Sequence, residues 1–141
     1  MKPVRIVIDT NIFIAALRNN RGASFHLLRL IGTGHFSNSI SVPLLLEYES
    51  IALRCLDQTN LEKTDIDDIL DYICQASEKH KINYLWRPFL QDPKDDFILE
   101  LAIKSKSNYI ITFNKKDFRD IDVFGVTALT PWEFLNEQGL L

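Results

Sequence analysis

The chain predicts an α/β fold, a three-layer α/β/α sandwich around a mainly parallel sheet of about five strands. Short β-branched runs without polar alternation, suited to strands covered on both faces, recur along it, and stretches with helical apolar spacing separate them. A further observation points to a site. The first run, Ile6-Val7-Ile8, ends abruptly on Asp9-Thr10-Asn11, and in open α/β sheets ligand crevices form at the C-terminal ends of strands.

The first strand covers Val4 to Ile8, with Arg5 the one interruption. Ile12, Ala15 and Ala16 then have helical spacing between Asn11 and Leu17, and Thr10 or Asn11 suits the cap. Taken alone, Asp9 is as readily a turn or cap residue as a functional acid. Asn19-Asn20-Arg21-Gly22 breaks the periodicity, and Ala23 to Ile31 resumes it with Phe25, Leu28 and Ile31 on one face until Gly32-Thr33-Gly34. Phe36 to Ser41 forms a second strand, and Pro43 suits the first turn of a helix through Leu56, where its missing N–H costs nothing. On that helix Leu44, Tyr48, Ile51, Ala52 and Cys55 share one side and Ser50, Arg54 and Asp57 the other. Glu47 sits on the border and Glu49 among leucines, so neither acid is plainly solvated; Glu47 is nearer the helix start and the strand ends.

Thr64 to Lys79 is a further helix with Ile66, Ile69, Leu70 and Ile73 inward. Asp65, Asp67 and Asp68 in its first turn read as capping and solvation rather than metal binding. Ile82 to Trp86 suggests a third strand, and Pro88 and Pro93 frame a loop. Asp92-Pro93-Lys94-Asp95-Asp96 opens a helix with Phe97, Ile98, Leu101 and Ala102 at burial spacing, Asp95 its natural cap; three carboxylates in five residues exceed what capping requires. Asn108 to Thr112 is a fourth buried strand, again ending on polar residues: Thr112, Asn114 and Asp117. Val123 to Leu129 gives the fifth strand, and Pro131 starts a terminal helix carrying Trp132, Phe134 and Leu135.

With 141 residues, 46% hydrophobic and 25% charged, one domain spanning 1–141 is expected. No apolar run approaches the roughly 18 residues that span a bilayer, and the N-terminus lacks a leader pattern, so a cytoplasmic protein with no membrane segment is expected. A net charge of −3 argues against a strongly basic nucleic-acid binder but leaves room for a local patch. Cys55 and Cys74 fit neither a disulfide scaffold nor a C-x-x-C metal site and are expected as small core residues; His26 and His35 have no partner at ligand spacing.

Two strands thus end on acidic or amide residues, and two helices begin near Glu47 and Asp95, all at the edge where strand ends meet helix starts. Hard oxygen ligands without cysteines or paired histidines select Mg²⁺ or Mn²⁺ over zinc. One or two such ions can activate a water and stabilise the leaving oxygen of a phosphodiester.

These residues carry a resemblance. The strand end Asp9-Thr10-Asn11, the run from Ser41 to Glu49, Asp92-Pro93-Lys94-Asp95-Asp96 leading to Leu99 and Ala102, the run from Tyr109 to Phe118, and Leu129 to Leu135 together make the chain look like a PIN-domain protein. Within that family it resembles the branch described as toxins of type II toxin-antitoxin pairs. The resemblance implies strand order 3-2-1-4-5, a Mg²⁺ or Mn²⁺ site, ribonuclease activity on single-stranded or looped RNA, an antitoxin partner and a homodimer. It places the family's acids on Asp9, Glu47 and Asp95, with Asp96 second choice in the doublet. Asn114 or Asp117 completes the set, Asp117 preferred, and Asn11 and Thr112 match supporting positions.

Basic residues that could face RNA are Arg18, Arg21, Lys115 and Lys116, alongside Lys104, Lys106 and Arg119. Phe113 and Trp86 are expected in the core, with base stacking the alternative. Two other functions compete with the nuclease. A haloacid-dehalogenase-type phosphatase also puts a nucleophilic Asp after its first strand, but wants a second Asp where Asn11 stands; a catalytically silent module would bind RNA or protein only.

Overall fold

The computed structural model describes residues 3–82 and 93–141, the side chains of residues 93–95 excepted. Five strands, β1 (Arg5–Ile8), β2 (Ser37–Ile40), β3 (Glu78–Lys79), β4 (Tyr109–Ile111) and β5 (Thr127–Leu129), form an all-parallel sheet in the order β3-β2-β1-β4-β5. The helices are α1 (Thr10–Arg18), α2 (Ala23–Arg29), α3 (Val42–Arg54), α4 (Lys63–Ala76), α5 (Pro93–Lys104) and α6 (Pro131–Glu137). The expected α/β/α architecture and strand order are both present.

The order explains the layers. From β1 to β3 the chain moves in one direction across the sheet, and from β3 to β4 it doubles back, so right-handed crossovers put α1 to α4 on one face and α5 on the other. Packing agrees: α1 lies against α2 and α3, α3 against α4, and α2 against α6, while α5 lies across β1, β2 and β4. The central strands are therefore covered on both sides, which is why Ile6, Val7, Ile8, Ile110 and Ile111 are almost wholly buried.

Several boundaries move for identifiable reasons. A strand stands at Glu78–Lys79, where the helix from Thr64 was expected to end; Ile82 follows it, and residues 83–86, within the expected third strand, lie outside the described residues, as do Pro88 and Asp92. Both residues of β3 are exposed, and an edge strand this short needs no apolar run to mark it. Its pairing with β2 continues through the His80 N–H, which donates to the Ile40 carbonyl. In β5 the ladder begins at Thr127 rather than Val123, because Ile121–Phe124 forms a 3-10 turn that Gly125 closes with φ 76°. Pro93 sets the start of α5, so Asp95 falls within its first turn instead of capping it. In α2, Ser24 and Leu27 face inward, while Phe25 and Leu28 are half-buried. Asp65 closes a capping box by accepting the Glu62 N–H at 2.8 Å, and Asp67 and Asp68 are solvated. His26 holds the C-terminal segment through its Nε2 and the Leu140 carbonyl, and Cys55 and Cys74 are half-buried free thiols. Among the described residues no helix is long and apolar enough to cross a membrane.

Gly32, in the loop after α2, lies against Ala76, the last residue of α4. Its φ is 85°, and a Cβ there would meet the Ala76 Cβ at 2.9 Å; Gly34, with φ 94°, has open space around it. Gly34→Ala should therefore cost about 1 kcal/mol, the left-handed backbone alone. Gly32→Ala should cost clearly more, since Ala76 must also shift. Chemical denaturation of the two variants checks this, and equal losses would show that the α2–α4 contact gives way freely.

Candidate active site at the sheet edge

The register between β1 and β4, Ile8 opposite Ile111, sets Asp9 and Thr112 side by side just past the strand ends. The Asp9 N–H continues the ladder to the Ile111 carbonyl. Asp9 Oδ1 accepts the Thr10 N–H at 2.7 Å, which makes Asp9 itself the N-cap of α1 in place of Thr10 or Asn11. Asp9 Oδ2 accepts the Thr112 hydroxyl at 2.7 Å, and Thr112 Oγ1 in turn accepts the Asn114 N–H at 3.0 Å. The capping and site interpretations of Asp9 are thus not exclusive: one oxygen starts the helix, and the same carboxylate faces a cavity.

That cavity, about 510 Å³, is lined by Asp9, Glu47, Asn114, Asp117, Asn11 and Arg18, with Ile14, Ile51, Ile98, Cys55 and Phe113 as its apolar wall. Glu47 reaches it from α3. Its neighbour Tyr48, fully buried and stacked on Phe13 with ring centroids 4.6 Å apart, anchors the helix and donates its hydroxyl to the carbonyl of Ile8, next to Asp9. Burial, then the charges of Asp9 and Glu47, hold the Tyr48 phenol well above its ordinary range, so it stays a donor. Sequence reasoning missed this role; the available signal was a tyrosine on a buried helix face, which needs a hydrogen-bond partner. Asp117 comes from the 3-10 turn Lys115–Phe118 after β4, its N–H bonded to the Asn114 carbonyl.

The remaining expected residues are distributed as follows. Glu49 is half-buried on α3 but does not line the cavity, nor does Asp96, which is buried at 5% exposure. The Asp95 side chain lies outside the described residues. Lys115 is engaged by both carboxylate oxygens of Glu133 at 2.9 and 3.0 Å, and Lys116 is exposed. Arg18 lines the cavity and bonds Gln58, while Arg21 lines an adjoining cleft between α1, α2 and α4. Phe113 is not in the core: it is 50% exposed, and Phe118 takes the buried place in this segment. Trp86 lies outside the described residues.

The electrostatics show a carboxylate under strain. Burial pushes the Asp9 pKa above the ordinary carboxylate value; the bonds from Thr112 and Thr10 pull it down, and the charges of Glu47 and Asp117 push it up again. Those two acids are therefore close enough for Asp9 to feel them. The donor set consists of oxygens, and Asn11 Oδ1 and Thr10 Oγ1 are buried without hydrogen-bond partners among the described residues. Among the described residues no three His, Cys, Asp or Glu side chains enclose an ion by themselves. The oxygens of Asp9, Glu47, Asp117 and Asn11, which line the one cavity, suit a hard cation such as Mg²⁺.

The raised Asp9 pKa has a definite pH signature. Folded Asp9 holds its proton to higher pH than the unfolded chain does, so its contribution to stability is complete below the ordinary carboxylate pKa. That contribution is lost as pH rises through the folded value. Asp9→Asn cannot ionise and escapes the loss. With EDTA present, its melting temperature relative to wild type should climb as pH goes from the acid side of the carboxylate range to neutrality; a pH-independent difference would mean that the Asp9 charge costs the fold nothing.

Comparison with known sequences agrees with this fold. The sequence pattern of the PIN domain matches residues 5–116 of the 141, from the first strand to the turn that supplies Asp117. No curated protein matches the chain. PIN domains are typically nucleases and generally use divalent metals. The chain belongs to the PIN-domain family.

Proposed function

We propose that the protein is a Mg²⁺- or Mn²⁺-dependent endoribonuclease that cleaves single-stranded or looped RNA, acting as the toxin of a two-gene module restrained by an antitoxin. The observation that carries the catalytic part is the Asp9 carboxylate, buried at the sheet edge of a PIN domain and destabilised by Glu47 and Asp117 in one cavity. Asp9, Glu47, Asp95 and Asp117 are the residues assigned to the cation. When bound, a divalent ion lowers the pKa of a coordinated water and neutralises charge on the phosphodiester. The chain's own groups do the rest. Thr112 fixes the orientation of Asp9, Asn11 Oδ1 offers an unused acceptor beside it, and Arg18 supplies a charge for the phosphate on the same cavity wall. Asn114 supports the turn that carries Asp117, and Asp96 stands second to Asp95. Lys116 and Arg21 are the further cations placed toward RNA, whereas Lys115 is committed to Glu133.

Self-association belongs to the same proposal; Leu27 of α2 and Ile66 and Ile73 of α4 are spent in the core and are not free for it. Among the exposed apolar residues are Val42 and Leu46 of α3 and Phe97 and Ile103 of α5, on two helices that touch. A second copy pairing isologously would cover them.

Purified protein incubated with single-stranded RNAs should cleave internally with Mg²⁺ or Mn²⁺ and not with EDTA. Phosphate release from a small phosphomonoester without RNA cleavage would favour the phosphatase, and RNA binding without metal binding the silent module. Asp9→Asn and Asp95→Asn should each lower cleavage more than about 100-fold, beyond the cost of losing an outer-sphere partner, and Thr112→Val by about 10- to 100-fold. Glu49→Gln should leave it nearly unchanged; equal dependence on Glu47 and Glu49 would overturn the assignment on α3. Wild type should also melt higher as Mn²⁺ rises, by about 2.7 kcal/mol at 100 times Kd, and Asp9→Asn should gain much less.

A further inference from the structure

Phe113 is placed where the fold has no use for it. It directly follows Thr112, the residue bonded to Asp9, and its ring is half-exposed on the wall of the same cavity. Core packing in this segment is done by Phe118, at 3% exposure, five residues on. The backbone around Phe113 is nonetheless held on both sides. The Thr112 N–H donates to the Leu129 carbonyl at 2.9 Å, and the Asn114 N–H donates to Thr112 Oγ1 at 3.0 Å. An aromatic ring on a fixed backbone, beside the acids and with Ile14, Ile51 and Ile98 lining the same space, loses little conformational freedom on meeting a flat ligand.

We propose that Phe113 is the base-stacking platform of the site, a positioning residue that makes it selective for unpaired RNA. The proposal rests on the nuclease reading above. Every base presents a π-face, so stacking of this kind tolerates any sequence, but a base can offer that face only when it is out of a duplex. In a continuous helix both faces of each base are occupied by neighbours. The phosphate of a stacked nucleotide would then lie toward Asp9, Glu47 and Arg18, which line the same cavity. Selection for single strands thus comes from one side chain, with no base-edge hydrogen bond required.

The test uses the whole protein in EDTA, so that binding is read apart from cleavage. The probes are a single-stranded RNA containing 2-aminopurine, the same RNA as a duplex, and a base-free ribose-phosphate oligomer of equal length. Wild type should bind the single strand and quench its fluorescence. Phe113→Ala should bind it about tenfold or more weakly without quenching, and Phe113→Trp should restore both; the base-free oligomer should bind wild type and Phe113→Ala alike. With Mg²⁺, Phe113→Ala should raise KM by a similar factor and leave kcat nearly unchanged, and its melting temperature should match wild type because the ring is half-exposed. Undiminished single-strand binding and KM in Phe113→Ala, with wild type still cleaving RNA, would overturn the stacking role and leave the nuclease standing. A wild type that neither binds nor cleaves RNA would overturn both.

Discussion

Thr112 Oγ1 donates to Asp9 Oδ2, and through that bond the ends of the two central strands become one unit. Its existence depends on register: Ile8 pairs with Ile111, so the next residues out are neighbours. A slip of one residue would turn Asp9 to the opposite face and bury a different set of side chains. The bond also makes the burial of Asp9 tolerable. A carboxylate at 8% exposure is costly without partners, and here each oxygen accepts a strong donor, one from a side chain and one from the first N–H of a helix. These two bonds offset part of the burial cost, and the remainder, with the repulsion of Glu47 and Asp117, leaves the carboxyl with a raised pKa.

The other acids arrive by a chain of ordinary packing. Tyr48 is pinned to the carbonyl of Ile8 and stacked on Phe13 of α1, so α3 can neither rotate nor slide relative to β1. Glu47 precedes Tyr48, one step of about 100° around the helix, and that step takes it from the core face to the cavity. Glu49, one such step from Tyr48 in the other sense, is carried away from it. Core packing thus decides which of two nearby acids reaches Asp9. The gathered negative charge is a stability cost borne at the edge of the sheet, where the all-parallel core of isoleucines and valine can carry it.

Most of the fold was legible because β1, β4 and the helices announce themselves by burial. β1 and β4 are apolar runs covered on both faces, and Pro43 and Pro131 mark helix starts within a turn. The strand order was not readable from periodicity; it came with the resemblance. β3 was not legible because its two residues are a charged, exposed edge with no apolar run to mark them. The polar strand β2 was found despite Ser37, Asn38 and Ser39, yet its chemistry was hidden: Asn38 is buried because its amide donates to Ser77 Oγ at 2.9 Å. In the site, Asp9 was visible from its place at a strand end, but its double use as cap and cavity acid was not, since caps and ligands draw on the same residue types. Phe113 was misread for the reason that aromatic residues usually pack, and only the burial of Phe118 shows which of the two phenylalanines does so.

A protein of net charge −3 with an acidic cavity gains little from long-range attraction to a polyanion. What it can offer an RNA is local. One arginine stands on the cavity wall, a cation would reverse the sign of the field at the carboxylates, and Ile14, Ile51, Ile98 and Phe113 line the same space. In the proposed function the acids would take the phosphate of a nucleotide through a cation, and the apolar lining residues its base. Affinity divided in this way depends less on counterion release than that of a basic groove, because stacking carries no charge. It also couples recognition to geometry. The backbone beside Phe113 and the carboxylate of Asp9 are held by the same residue, Thr112, so a base stacked on Phe113 as proposed would be placed relative to the acid that the fold takes most trouble to bury.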